Sequence, residues 1–142
     1  KPPVRSSEVL GKIKKNYDLV IVEFWQGMLS FRTIDEIYDK LHCVIRFNAV
    51  DYSPMSGGCH FTGDCQRYQI GCGCCPAFGS NDANDFTHLN VLYREKVYQK
   101  VKPIVVGNSY MINFFNKSYL MKNFRERGFS RPRSYSSFPG RC

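Results

Sequence analysis

The chain has 142 residues, of which 43% are apolar and 23% charged, with a net charge of +8 at pH 7. That length fits one domain burying roughly two-thirds of its unfolded surface, so a core does not depend on disulfides. The absence of any run of about 18 apolar residues excludes a membrane-spanning helix from the expectations. Lys1-Pro2-Pro3-Val4 carries neither an initiator Met nor an apolar leader, which fits a processed mature chain or an excised piece equally.

The first helix is expected over about 7–16, where Val9, Leu10, Ile13 and Tyr17 recur at helical spacing and Ser6-Ser7 can cap. Asp18-Leu19-Val20-Ile21-Val22-Glu23-Phe24 reads as a strand buried on both faces, the best candidate for a central strand. Ile34, Ile37, Tyr38 and Leu41 predict an amphipathic helix over about 29–42. A second strand follows over 43–50, and the strand, helix, strand order implies a parallel right-handed crossover.

Glycines and Pro54 mark a loop over 51–63, and Asp64–Tyr68 allows a helical turn or two. The stretch Cys65-Gln66-Arg67-Tyr68-Gln69-Ile70-Gly71-Cys72-Gly73-Cys74-Cys75-Pro76-Ala77-Phe78 passes through a glycine-rich turn into a strand opened by Pro76. Proline costs nothing at a strand start, and a tight turn invites a cis Cys75–Pro76 bond. Leu89–Tyr93 and Val97–Val101, around Arg94-Glu95-Lys96, read as an antiparallel hairpin. A last helix, capped by Asn108 or Ser109, runs through Phe114, Phe115 and Phe124 to Gly128. Asn116-Lys117-Ser118 is a glycosylation triplet on paper, but its place in a predicted helix gives it little weight. Residues 1–128 therefore form the expected domain. Residues 129–142 form a tail too polar and proline-broken to pack; with Arg125 and Arg127, its Arg131, Arg133 and Arg141 face a single acid, Glu126.

Seven cysteines, five of them between Cys59 and Cys75, read as a disulfide cluster of an oxidising compartment. The disulfide candidates are Cys43, Cys59, Cys65, Cys72, Cys74, Cys75 and Cys142, and the odd count leaves one, Cys142 by position, free or paired with another chain. Two other chemistries are open to the same residues. Cys72, Cys74 and Cys75 could form a redox site, which would need one depressed thiol pKa and access. His42, Cys43, Cys59, His60, Cys65, Cys72, Cys74, Cys75 and His88 could supply zinc, but tetrahedral sites pair ligands as C-x₂₋₄-C and that spacing does not occur cleanly twice, so no metal or other cofactor is expected.

The order of elements resembles the thioredoxin fold. Val22-Glu23-Phe24-Trp25 resembles the aromatic-tipped central strand of the thioredoxin and protein disulfide isomerase families, 34–41 is similar to their next helix, and Phe47-Asn48-Ala49-Val50-Asp51 to their second-strand ending. Cys65–Ile70 followed by Pro76-Ala77-Phe78 resembles their approach to a cis-proline, so that the likeness covers roughly 7–80. The resemblance implies an α/β, thioredoxin-like fold with a central mixed sheet flanked by helices. The family's Cys-x-x-Cys is missing, because its place reads Gly27-Met28-Leu29-Ser30-Phe31-Arg32, and about two extra residues before Pro76 rebuild the adjoining loop. A domain of this kind without its redox pair is expected to bind another protein, in the secretory pathway, endoplasmic reticulum lumen or cell exterior, through an edge made of Trp25, Met28, Leu29, Ser30 and Pro76. Trp25 could equally just cover the end of the sheet. A thiol-disulfide oxidoreductase and a zinc-dependent nucleic-acid binder using the basic tail are the alternatives; nucleic acid is the less expected partner.

Overall fold

Three apolar runs, Leu19–Val22, Val44–Ala49 and Ile104–Gly107, become the strands β1, β2 and β3 of a parallel sheet. They do so in a computed structural model that describes residues 4–125 and 133–134. Helix α1 (Ser6–Lys12) precedes β1, α2 (Phe31–Leu41) joins β1 to β2, and α3 (Phe86–Val101) leads into β3. After β3 come α4 (Ser109–Lys117), α5 (Tyr119–Arg125) and a two-residue strand β4 (Arg133–Ser134), parallel to β3, so the spatial order is β1-β2-β3-β4. The molecule is thus α/β, as expected, but its sheet is wholly parallel rather than mixed.

One face of the sheet carries the core. Val22, Ile45, Phe47, Ala49 and Val105 are buried against Phe31, Ile34 and Ile37 of α2 and Val91, Val97, Tyr98 and Val101 of α3. Phe31 stacks on Phe47 with centroids 6.0 Å apart, and Tyr98 tilts against both rings at 5.5 and 5.6 Å. Full burial of such a side chain is worth about 1.5–3 kcal/mol. The opposite face is open along its first half, where Leu19, Ile21, Val44 and Ile104 are 41% to 51% exposed. β1 is therefore an edge strand, not the doubly covered central strand its apolar run predicts; β2 takes the central place.

The sequence reading of 89–101 is corrected outright, since this stretch is the body of α3. Its buried residues, Thr87, Val91, Arg94, Val97, Tyr98 and Val101, keep a helical spacing with an arginine in the middle. Asp85 starts the helix by accepting from the amides of Thr87 and His88. β3, which the hairpin reading left without a place, follows at once.

Pro76 opens no strand either. It occupies the first position of a 3-10 turn, Pro76–Phe78, where its missing N–H is harmless. Among the described residues no peptide bond is cis, so Cys75–Pro76 is trans. The expected single C-terminal helix breaks at Ser118, which is fully buried. Its hydroxyl donates to the Phe115 carbonyl at 2.7 Å and accepts from the Met121 amide at 3.2 Å, ending α4 and capping α5. α1 is shorter than expected and is preceded by Arg5 rather than capped by serine. Ser6 instead meets the Thr33 hydroxyl at 2.8 Å. Of the expected tail only 133–134 falls within the described residues; Cys142 and most of its arginines lie outside them. No described helix is long and apolar enough to cross a membrane.

Candidate functional site

Both α2 and α3 begin at the carboxyl ends of the parallel strands, the end at which open α/β sheets bind ligands. The loop after β2 is unusual there, because Asp51 through Gly57 are all buried although none is in a helix or strand. Buried loop backbone needs hydrogen-bond partners, and one face of α3 supplies them. Asn90 Nδ2 donates to the Gly57 carbonyl at 3.0 Å, Arg94 Nη1 to the carbonyls of Ser53, at 2.5 Å, and Ser56, and the Tyr98 hydroxyl to Pro54 at 2.7 Å. These three donors sit four residues apart, so a single helical face latches the loop. At the far end of the loop Asp51 accepts from the Ser53 amide and meets His60 Nδ1 at 2.8 Å.

Between this loop and the start of α2 lies a cleft of about 290 Å³, lined by Trp25, Gln26, Leu29, Ser30, Phe31, Gly58, Phe86, Asn90, Tyr93 and Arg94. Its polar walls are already engaged. Gln26 donates to the Gly58 carbonyl and accepts from the Ser53 hydroxyl, Ser30 accepts from the Thr33 amide as the cap of α2, and Tyr93 donates to Asp35 at 3.1 Å.

Arg94 is the exception. Its guanidinium lies 5.2 Å from both the Trp25 and Phe31 rings, which are themselves in edge contact, and the residue is only 5% exposed, yet its Nε–H has no partner. Burial lowers its pKa from the ordinary guanidinium value, but the group stays charged. No carboxylate forms an ion pair with it among the described residues; Asp51, a carboxylate that influences it, is held by Ser53 and His60. A buried cation without an anion costs several kcal/mol, which two carbonyls and two ring faces offset only in part.

Of the expected binding edge, the structure brings Trp25, Leu29 and Ser30 to this cleft and leaves the other two out. Trp25 is 4% exposed and forms wall rather than tip, whereas Met28 is 55% exposed and lines no part of it. Pro76 belongs to a neighbouring cavity of about 20 Å³, which touches the cleft at Gly58. With a trans bond and a separate location, Pro76 cannot be the peptide-pairing edge.

That neighbouring cavity is where the cysteines converge. Cys59, Cys65, Cys72 and Cys75 all line it, with Arg67 and Tyr68. Cys74 turns away toward the Asn81 carbonyl at 3.6 Å, and Cys43 is buried in the core under β2. All six described cysteines are free thiols, so the expected disulfides are not formed. Burial pushes the Cys59 and Cys72 thiols up, which is the wrong direction for an attacking thiolate. Neither His42, the left-handed C-cap of α2, nor His60 lines the cavity, and His88 donates Nδ1–H to the Gly71 carbonyl at 2.8 Å.

The turn bearing Cys72 and Cys75 is pinned. Gly71, Cys72, Gly73 and Cys74 all have positive φ, at 98°, 60°, 82° and 42°, a run that costs about 1–2 kcal/mol at each non-glycine position. Four hydrogen bonds hold it: Cys72 N to Arg67 O at 2.8 Å, Gly73 N to Thr87 Oγ1 at 3.1 Å, Cys74 N to Asp82 O at 2.7 Å and Cys75 N to Asp85 Oδ2 at 2.8 Å. A Cβ on Gly73 would run into the Ala83 carbonyl.

Together these features define a small parallel α/β domain with a charged cleft and a thiol-lined cavity at the carboxyl ends of its strands. Comparison with protein-family models, with curated proteins and with solved structures finds no match to this chain.

Arg94 is the functional residue the sequence reading missed. The sequence reading placed it in the Arg94-Glu95-Lys96 turn of a hairpin and gave it no role. Asp85 as a cap and the spacing of Thr87, Val91, Tyr98 and Val101 are the signals that would have placed it on the buried face.

Proposed function

We propose that this chain is a non-catalytic binding module whose cleft takes an acidic group of a partner protein, a carboxylate, against Arg94. The observation that carries the reading is the unpartnered Nε–H of a buried guanidinium beside the cleft. Three further features support it. The start of α2, whose free amide dipoles favour an anion, forms one wall at Ser30 and Phe31. The cleft volume suits one side chain or a chain terminus rather than a larger organic ligand. Ser30 is engaged with Thr33 and has no base beside it in the cleft, which leaves no activated nucleophile.

The reading keeps the expected protein partner and gives it a different surface. A thioredoxin-like relation is not part of it, because the parallel strand order, the helix at 86–101 and the trans Cys75–Pro76 bond each depart from what that resemblance implies. An oxidoreductase using Cys72, Cys74 and Cys75 is not favoured either: Cys74 turns away from the other two, and the Cys72 thiol is pushed up rather than down.

The test is calorimetric titration with N-acetylglutamate and with N-acetylglutamine, its neutral counterpart. Saturable binding of the acid in the millimolar range, with none of the amide, is expected. Phe86→Asp, which sets a negative charge at the cleft rim while favouring the start of α3, should weaken that binding at least tenfold. Equal binding of acid and amide, or none of either, overturns the proposal.

A further inference from the structure

Val9, Leu10 and the C-cap Ile13 give α1 an apolar face, yet no residue of this helix is buried. The way the helix is held explains it. Its leading end is tied by the Val4 amide to the Met28 carbonyl at 3.3 Å, and by Ser6 to the Thr33 hydroxyl. At its trailing end the Lys40 ammonium donates to the carbonyls of Leu10 and Ile13, at 2.7 and 3.2 Å. Fixed at both ends, α1 cannot settle onto β1. A groove of about 540 Å³ opens there, walled by Val9 and Ile13, by Leu19 and Val20 of β1, and by Ile37 and Leu41 of α2. It shares no lining residue with the cleft at Arg94 and lies at the other end of the sheet, since α2 starts at the cleft and ends at the groove.

Charge decides what the groove takes. Two charged residues line it, Glu8 and Lys12. Glu8 is balanced by Arg5 Nε at 3.1 Å, whereas Lys12 forms no ion pair among the described residues. The Lys15 ammonium lies 5.3 Å over the ring of Tyr17, itself a lining residue, and so adds a second cation beside the groove. Lys14 is exposed between them, and Asp18 is the only acid from 12 to 18. Aliphatic walls that end at uncompensated cations are complementary to an alkyl chain with an anionic head. Among the described lining residues there is no side-chain amide or aliphatic hydroxyl, which suits a hydrocarbon rather than a polar ligand. The same lysines repel a second copy of a chain whose net charge is +8. The volume falls within the roughly 300–1,000 Å³ of sites for single organic ligands.

We propose that the groove between α1, β1 and the end of α2 binds the alkyl chain of a free fatty acid, with its carboxylate against Lys12 and Lys15. The chain covers the apolar face that α1 leaves open, and the carboxylate replaces the counter-ion that the lysines lack. This goes beyond the cleft reading and does not rest on it, because the two sites have no residue in common.

The test is calorimetric titration of the full chain with dodecanoate, octanoate and dodecyltrimethylammonium, each below its micelle-forming concentration. One dodecanoate per chain is expected, in the micromolar range. Octanoate should bind at least tenfold more weakly, because each methylene withdrawn from water is worth roughly fourfold in affinity. Dodecyltrimethylammonium, with the same chain and the opposite head, should also lose at least tenfold. Leu19→Asp, at a half-exposed position of the groove wall, should abolish dodecanoate binding. Should that variant fail to fold, Lys12→Gln, at an exposed position, decides: it should lose about threefold for dodecanoate and nothing for the ammonium. Excess N-acetylglutamate should leave dodecanoate in place. Equal affinity for the two acids or for the two heads, displacement by N-acetylglutamate, or sedimentation with phosphatidylglycerol vesicles without uptake of dodecanoate overturns the proposal.

Discussion

The covered face of the sheet and the segment from 50 to 85 are stabilised by opposite means. On the sheet, Ile45, Phe47 and Ala49 bury apolar surface against α2 and α3, and position is set by shape. In the segment, position is set by polar bonds: carbonyls of 53–57 accept from Asn90, Arg94 and Tyr98, and amides of 72–75 donate to residues of 67–87. Helix α3 serves both, since Arg94 and Tyr98 lie on its buried face among Val91, Val97 and Val101 and still donate to the loop. The lesson is that an irregular chain can be buried like a core when a helix supplies donors at every fourth residue. The functional groups collect where the two regimes meet.

The largest effect should come from the apolar regime. Phe47→Ala removes a ring in contact with Phe31 and Tyr98 and should cost about 3–5 kcal/mol in urea unfolding. Gly73→Ala probes the polar regime. It deletes no contact, but it places a Cβ against the Ala83 carbonyl at a φ of 82°, and should cost about 2 kcal/mol by the same measurement. A Gly73→Ala cost near zero would mean that the cysteine turn is not held to the start of α3.

A smaller effect, confined to acid, is expected from Asp85. The Thr87 hydroxyl, at 2.6 Å, and then the Cys75 amide hold its carboxyl well below the usual carboxylate range. Because the folded pKa is depressed, the contribution is fully present above the unfolded value, near 4, and is lost as pH falls from there toward the folded value. Asp85→Asn should therefore be less stable than the parent at neutral pH, with the gap closing as the solution is acidified below about pH 4. A gap independent of pH would assign the cap to geometry alone.

Much of the first regime was legible in the sequence. The apolar runs of β1 and β2 and the amphipathic α2 were placed within a few residues, because burial on one side of a regular element leaves a period in the sequence. β1 was given the wrong rank, since a continuous apolar run does not reveal that Leu19 and Ile21 stay half exposed. The second regime was largely illegible. Its bonds run from side chains of 90–98 to backbone carbonyls of 53–57, and a carbonyl has no letter in the sequence. Arg94 compounded this by putting a charge at a core position of α3, which broke the helical pattern and let the stretch read as a hairpin. At the candidate site Trp25, Leu29 and Ser30 were named because the resemblance put a binding edge where its Cys-x-x-Cys is missing, whereas Arg94 and Asn90 were not named. The cysteines drew notice by number, but only the fold separates the four that converge from Cys43 and Cys74.

The central claim is that Arg94 stands ready for an anion, and its own Nε–H resonance reports on that directly. In a nitrogen–proton correlation spectrum of the full chain, N-acetylglutamate at constant ionic strength should shift the Arg94 Nε–H signal saturably, while N-acetylglutamine should leave it in place. An Arg94 signal that stays fixed under both, while the exposed arginines drift in proportion to added acid, would contradict the account and leave Arg94 as a loop latch alone.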